Sequence, residues 1–179
     1  MLDTGILEEG EKAELIDGLI THEGMIDRMT QNSHHTMSSI LVEDELRLIC
    51  PTTMRVRAGK PLSLINGSEP EPDVFIVSGS ARDYPGGHPT TALLVVEVSD
   101  ASLRYDRTKK ASLYASAGIP EYWIVNLQDR SVEVHREPVE DLDHPFGARY
   151  NDIHRAKEGD SIQPLFAPEH SIPVNNMLP

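Results

Sequence analysis

The 179-residue sequence predicts an α/β domain with a mixed central sheet flanked by helices. Three observations point to it. The apolar strand "LLVVEV" is followed by the helical run "LRYDRTKKASLYASAG" and a second apolar strand, "EYWIVN", an order that favours a parallel pair joined by a right-handed crossover. A long helical pattern, "NSHHTMSSILVEDELRLI", stands ahead of the strands and is able to cover one side of a sheet. A content of 39% hydrophobic and 25% charged residues over this length suits one ordinary globular core, so residues 1–179 read as a single domain.

The elements follow in order along the chain. "AELIDGLITHEGM" alternates about Asp17-Gly18, a dipeptide able to supply the positive φ angles of a tight turn, which predicts two short strands. In the helix that follows, Asn32 or Ser33 is the expected N-cap. Met37, Ile40, Leu41 and Leu48 fall near helical spacing, with acids on the other face. After Pro51, "TTMRVRAG" and "PLSLING" read as strands, and Asp73 heads the β-branched and aromatic run "VFIVS". Pro70 and Pro72 cannot donate to a ladder before that run. "SARDYPGGHPTT" is a loop rich in Gly and Pro. Gly118 is the expected C-cap of the next helix, and Pro120 blocks its continuation. "EYWIVN" and "SVEVHR" form a hairpin about Gln128 and Asp129, and the tail from Glu137 is expected to be loop-rich, with one strand near "ARYNDI". There is no internal repeat.

Composition narrows the function classes. No apolar run approaches the roughly 20 residues of a membrane span, and the acidic start "MLDTGILEEGEKAEL" is unlike a signal peptide, so a cytoplasmic protein without a membrane partner is expected. Cys50 is the only cysteine, which excludes an internal disulfide and a thiolate metal cluster, and its flanks suggest a small core residue. "VSGSA" lacks the spacing of a nucleophile elbow, and His88, His135, His144 and His154 lack ligand spacing. A net charge of −13 argues against a generic nucleic-acid binder but suits a site that gathers carboxylates around a hard cation such as Mg²⁺.

Glu97 is the residue that demands a reason, because an ionised carboxylate inside the apolar strand "LLVVEVSD" costs several kcal/mol unless it is paired or bound to a metal. If the strand headed by Asp73 lies beside that of Glu97, the two carboxylates converge and could share a divalent cation. On the next helix Asp106, Lys110 and Tyr114 are spaced i, i+4, i+8 and share a face from which Lys110 reaches back towards them. Spacing alone leaves a second account open, in which Glu97 forms a structural ion pair with Lys109 or Lys110 and Asp73 merely caps a strand.

The segments "AELIDGLI", "SHHTMSSIL", "PEPDVFIV", "LLVVEVSDASLRYDRTKKASLYASAGIPEYWIVN" and "VEVHREP" come in the order and at the spacing of a known family. With them the chain resembles the Uma-two family of "putative restriction endonucleases", most densely from Pro70 to Arg136. The resemblance implies the PD-(D/E)XK nuclease fold, in which an acid and a D/E-x-K pair bind Mg²⁺ and hydrolyse phosphodiester bonds. By position Asp73 is similar to the first acid, Glu97 to the second, and Glu14 to the acid such folds place on the N-terminal element. His34 falls on a histidine of the family pattern, and Glu121 on an acid of it. Ser99 stands where the plain motif has lysine, and the family places that function on the next helix. There Lys110 is favoured over Lys109, which sits about 100° away around the helix.

The expected function is therefore Mg²⁺-dependent (or Mn²⁺-dependent) cleavage of DNA, with Asp73 and Glu97 as metal ligands and Lys110 completing the catalytic set. Glu14, His34, Asp106 and Tyr114 are possible additions to the site. Without a cation the paired acids are expected to be poorly ordered or to have raised pKa values. Trp123 and Tyr122 are expected to pack between strands, with stacking on a base as the alternative. The rival reading is a catalytically idle binding or assembly module on the same fold, with a homodimer the expected assembly. A hydrolase of another phosphate ester comes third.

Overall fold

The computed structural model describes residues 13–16, 18–22, 33–85 and 87–179. Strands β1 (Ala13–Ile16) and β2 (Leu19–His22) pair antiparallel with Ile16 opposite Leu19. The expected hairpin is thus present and Gly18 has φ +72°, while Asp17 lies outside the described residues. Helix α1 (Ser33–Ile49) follows, and the alternative cap Asn32 also lies outside them. Next come β3 (Met54–Ala58), β4 (Val74–Ser78) and β5 (Leu94–Ser99). A helical segment, α2, covers residues 103–116. It leads to β6 (Glu121–Asn126), β7 (Ser131–Glu140) and β8 (Ala148–Lys157). Short strands β9 (Ser161–Ile162) and β10 (Ile172–Pro173) and a 3₁₀ turn, Val174–Met177, close the chain.

Strands β3 to β8 form one sheet in sequential order. Within it β5 and β6 are parallel, joined across α2, and the other neighbouring pairs are antiparallel. Every residue of β5 and β6 is buried, because both faces of the sheet are covered. Val42 and Leu46 of α1 pack with Val56, Ile76, Val96, Trp123, Val125 and Met177 on one face. Leu113 and Tyr114 of α2 pack with Phe75, Val95, Tyr122, Ile124 and Tyr150 on the other. Gly118, at φ +69°, takes the left-handed conformation that ends α2.

Three expectations need correction. Helix α1 turns Ser38, Val42 and Leu46 inward, while Met37, Ile40 and Leu48 face outward and Leu41 is half-buried. The buried hydroxyl of Ser38 donates to the Met177 carbonyl at 2.6 Å, so a polar residue fits this stripe because the C-terminal turn supplies its acceptor. "PLSLING" is not a strand. Leu62 and Leu64 are buried, but their amides bond to the Pro70 and Ser68 carbonyls within an irregular loop that has no ladder partner. The strand expected near "ARYNDI" is present as β8, but beyond Glu137 the chain is more regular than expected, since β7 and β8 are ten-residue strands paired from Ser131–Lys157 to Glu140–Ala148. β8 is an edge strand with mostly exposed side chains, so its stability comes from the ladder rather than from a legible apolar alternation. Pro138 is tolerated in β7 because β6 pairs no further than Arg136. Cys50 is half-buried against the α1 face of the core.

The inward stripe can be tested by truncation. Leu46→Ala, at a position with no exposure, should cost ~2–5 kcal/mol in chemical denaturation, whereas Leu48→Ala, at 79% exposure, should stay within about 0.5 kcal/mol of wild type. The reverse order would return α1 to the Met37, Ile40 and Leu48 facing.

Candidate active site

The β4–β5 register, in which Val74 faces Val96, sets Asp73 opposite Glu97 when continued by one residue. Asp73 closes that end of the pair with its side chain. Its Oδ2 accepts the Val98 amide at 2.7 Å and lies 3.4 Å from Nε2 of His35, in the first turn of α1. Glu97 is buried, with 4% exposure. Its Oε1 accepts both the Lys110 ammonium at 3.0 Å and the Tyr114 hydroxyl at 2.6 Å. Lys110 makes a second bond, 3.1 Å to Oε1 of Glu14 on β1, and that oxygen also accepts the Glu71 amide at 2.9 Å. The lysine therefore ties the N-terminal hairpin to the centre of the sheet.

Helix α2 delivers these groups through a widened turn. The Ala111 amide reaches the Asp106 carbonyl, an i to i+5 bond, so Asp106–Lys110 forms a π-helical turn of the kind that recurs at functional sites. Asp106, Lys110 and Tyr114 all face inward, as their spacing suggested, and Lys109 is exposed. Asp106 accepts the Ser102 hydroxyl at 2.6 Å through Oδ2, while its carbonyl accepts the Tyr122 hydroxyl at 3.2 Å.

The structure brings Asp73, Glu97, Lys110, Glu14, Asp106 and Tyr114 into one neighbourhood. His34 is exposed on α1, and its neighbour His35 is the histidine that reaches Asp73. His35 lies three residues before Ser38 on the stripe that α1 buries, so reading the helix facing correctly would have found it. Trp123 and Tyr122 are fully buried, which removes the alternative of stacking on a base. Glu121 is held by Arg136 at 2.9 Å and by the Leu165 amide at 2.8 Å, a structural role at the start of β6.

Electrostatics divide the two facing acids. Burial pushes Glu97 up to about 8; Lys110 opposes the rise, and Asp73, Asp106 and Glu14 add to it. Burial raises Asp106 as well. Burial would also raise Asp73, but His35 and the Val98 amide outweigh it and hold the group below the usual carboxylate range. Lys110 is kept charged, because Glu97, Glu14 and Asp106 together overcome its desolvation. The expectation of raised acids thus holds for Glu97 and fails for Asp73, which has its own donors.

One ammonium serves several buried carboxylates, and that surplus of negative charge is what a hard cation relieves. Asp73 Oδ1 and Glu97 Oε2 accept no hydrogen bond among the described residues, so each acid keeps an oxygen for a ligand. No three His, Cys, Asp or Glu side chains among the described residues meet as a ready cage. The donor set fits a cation held by two carboxylates that keeps most of its waters, which is the habit of Mg²⁺.

A pH dependence follows from Glu97. Its folded-state pKa of about 8 lies above its ordinary 4.5, so its contribution to stability is full below pH 4.5 and is lost as pH rises through about 8. In EDTA the wild type should lose stability across that window, and Glu97→Gln should flatten the slope. Denaturation at several pH values measures both, and equal slopes would contradict the assignment.

Comparison with known proteins places this geometry. The family model Uma2, described as "Putative restriction endonuclease", matches residues 2–175. A crystal structure from Anabaena variabilis, described as a putative nuclease belonging to DUF820, superposes with a TM-score of 0.70 at 13% identity, covering 98% of this chain and 94% of that one. A search of curated proteins finds no match. No helix among the described residues is long and apolar enough to cross a membrane. The α/β fold is consistent with the PD-(D/E)XK type, and the family match carries the nuclease assignment. On the match across nearly its whole length, the chain belongs to the Uma2 family.

Proposed function

We propose that the protein is a divalent-cation-dependent endonuclease that hydrolyses DNA phosphodiester bonds, with Asp73 and Glu97 as the cation's carboxylate ligands. The carrying observation is the pair of acids at facing register positions, with Lys110 bonded to one of them, in a chain of a nuclease family. Bound there, Mg²⁺ or Mn²⁺ would acidify a water and neutralise charge on the scissile phosphate.

The chain's own residues divide the remaining work. The Val98 amide fixes the Asp73 carboxylate, and Tyr114 with Lys110 fixes that of Glu97, so both stand oriented before any ligand arrives. Lys110 has three N–H donors and uses two, on Glu14 and Glu97, which leaves one for the nucleophile or a phosphate oxygen. Asp73 is the accessible member, its side chain 17% exposed against 5% for Glu97, so the substrate approaches from its side.

A second reading keeps the fold as an idle scaffold. The Glu97–Lys110 pair is complete without a cation, and Met37, Ile40 and Leu48 form an exposed apolar row on α1 suited to assembly.

Cleavage of supercoiled plasmid with Mg²⁺ or Mn²⁺ separates the two. The nuclease reading expects nicking by wild type and none by Asp73→Ala; a pure wild-type protein that leaves DNA intact in both metals points to the scaffold. Lys110→Ala should lower the cleavage rate about 100- to 1,000-fold, and exposed Lys109→Ala should leave it largely intact. Glu97→Gln should abolish the rise in melting temperature on adding Mn²⁺. In EDTA its stability should fall by less than the ~3–5 kcal/mol of a stranded buried charge, because Lys110 keeps Glu14 as a partner.

A further inference from the structure

Most of the described arginines of this acidic protein are tied to carboxylates. Arg107 and Arg155 hold Glu133, Arg136 holds Glu121, Arg130 holds Glu158 and Arg149 holds Asp141. One groove departs from that pattern. It has a volume of about 660 Å³, lies along the free edge of β3, and its lining includes Arg47, Arg55, Arg57, Lys60 and Tyr84. Among the described residues Glu43 is its one lining carboxylate, and it is bonded to Arg47. Among the described residues Arg55, Arg57 and Lys60 pair with no carboxylate, so their charge stands uncompensated in a chain of net charge −13.

Arg57 is held in place without being neutralised. Its guanidinium lies 5.8 Å from the centroid of the Phe75 ring and 6.0 Å from that of Tyr84, whose hydroxyl is anchored on the Ser78 carbonyl at 2.6 Å. Ring contacts of this kind fix the planar fork and leave its N–H donors for an anion, and an arginine fork matches phosphate oxygens two at a time. The groove also leads to the acids. Arg57 faces Phe75 across the β3–β4 ladder, and two residues further along the Gly59 amide donates to the Asp73 carbonyl at 3.0 Å. At the strand rise, Arg57 is therefore roughly 7 Å along β3 from the row that holds Asp73 and Glu97.

We propose that this groove is the track for the phosphodiester backbone of duplex DNA, with Arg55, Arg57 and Lys60 as phosphate contacts beside the Asp73–Glu97 site; the proposal rests on the nuclease reading for its choice of polyanion. Like charges gathered in one groove repel until an anion joins them, and a regular array of phosphates opposite the β3 edge supplies that anion. An acidic peptide adding to the free edge of β3 is the competing occupant. It would use the strand's backbone but has no need of the Asp73 row.

The test is binding of a short labelled duplex in EDTA across a salt series, which removes cleavage from the measurement. It compares wild type, the groove variant R55Q/R57Q/K60Q, and R130Q/R149Q/K157Q, which loses the same charge towards the far end of the sheet. The groove variant should bind at least about tenfold more weakly, and its log–log salt slope should fall by about 2 to 3; the far variant should follow wild type. If Arg57 proves necessary for folding, R55Q/K60Q carries the test with a slope change of about 2. Equal binding by the two triple variants overturns the proposal, as does displacement of the duplex by polyglutamate at equal charge. Plasmid cleavage run in parallel separates the two claims. A wild type that binds through the groove but cuts nothing upholds the groove and sinks the nuclease reading, whereas unimpaired cutting by the groove variant upholds the nuclease and sinks the groove.

Discussion

Lys110 is the charge on which the site depends. It is buried at 7% exposure, far from the water that normally stabilises an ammonium, and it stays charged because Glu97 and Glu14 accept hydrogen bonds from it. That one side chain joins β1, β5 and α2. It stands at the end of the π-helical turn of α2: Asp106 and Lys110 bound the widened turn, and both are buried. Burial raises Glu97 to about 8, and the neighbouring Asp73, Asp106 and Glu14 add to the rise, so the site carries more carboxylate than one ammonium balances.

The arrangement also explains why the two facing acids behave differently. Asp73 draws its stabilisation from neutral and histidine donors at the edge of the sheet, whereas Glu97 competes with Glu14 and Asp106 for the same lysine. Splitting two carboxylates in this way is a common route to a site in which one group is ionised in advance and the other gains or loses a proton on binding. Charge is segregated on the larger scale too. Among the described residues Arg107, Arg130, Arg136, Arg149 and Arg155 neutralise acids within the fold, whereas Arg55, Arg57 and Lys60 beside β3 do not.

Much of the site was legible because its chemistry violates the local pattern. A glutamate in an apolar strand and a lysine four residues after an aspartate both stand out from a single sequence, and the structure sets them 3.0 Å apart. The parallel β5–β6 pair was legible for the opposite reason, since two strands buried on both faces leave no other pattern. The facing of α1 was not, because that helix carries apolar residues on more than one side and only the sheet and the Met177 carbonyl select Ser38, Val42 and Leu46. The same misreading hid His35. β8 was legible only in its first half, near "ARYNDI", because an edge strand with exposed polar side chains keeps its ladder without an apolar alternation. The basic groove was hidden as well, since Arg47, Lys60 and Tyr84 meet only in the fold.

The central claim is that Asp73 and the buried Glu97 bind a divalent cation and that a proton is given up in doing so. Calorimetric titration of Mn²⁺ into the wild-type protein near pH 7, in two buffers of different ionisation heat, reads both events at once. With Glu97 protonated below about 8, binding should release up to about one proton per cation, so the observed heats should differ between buffers in that proportion. Saturable binding with the same heat in both buffers, or no binding at all, would contradict the account.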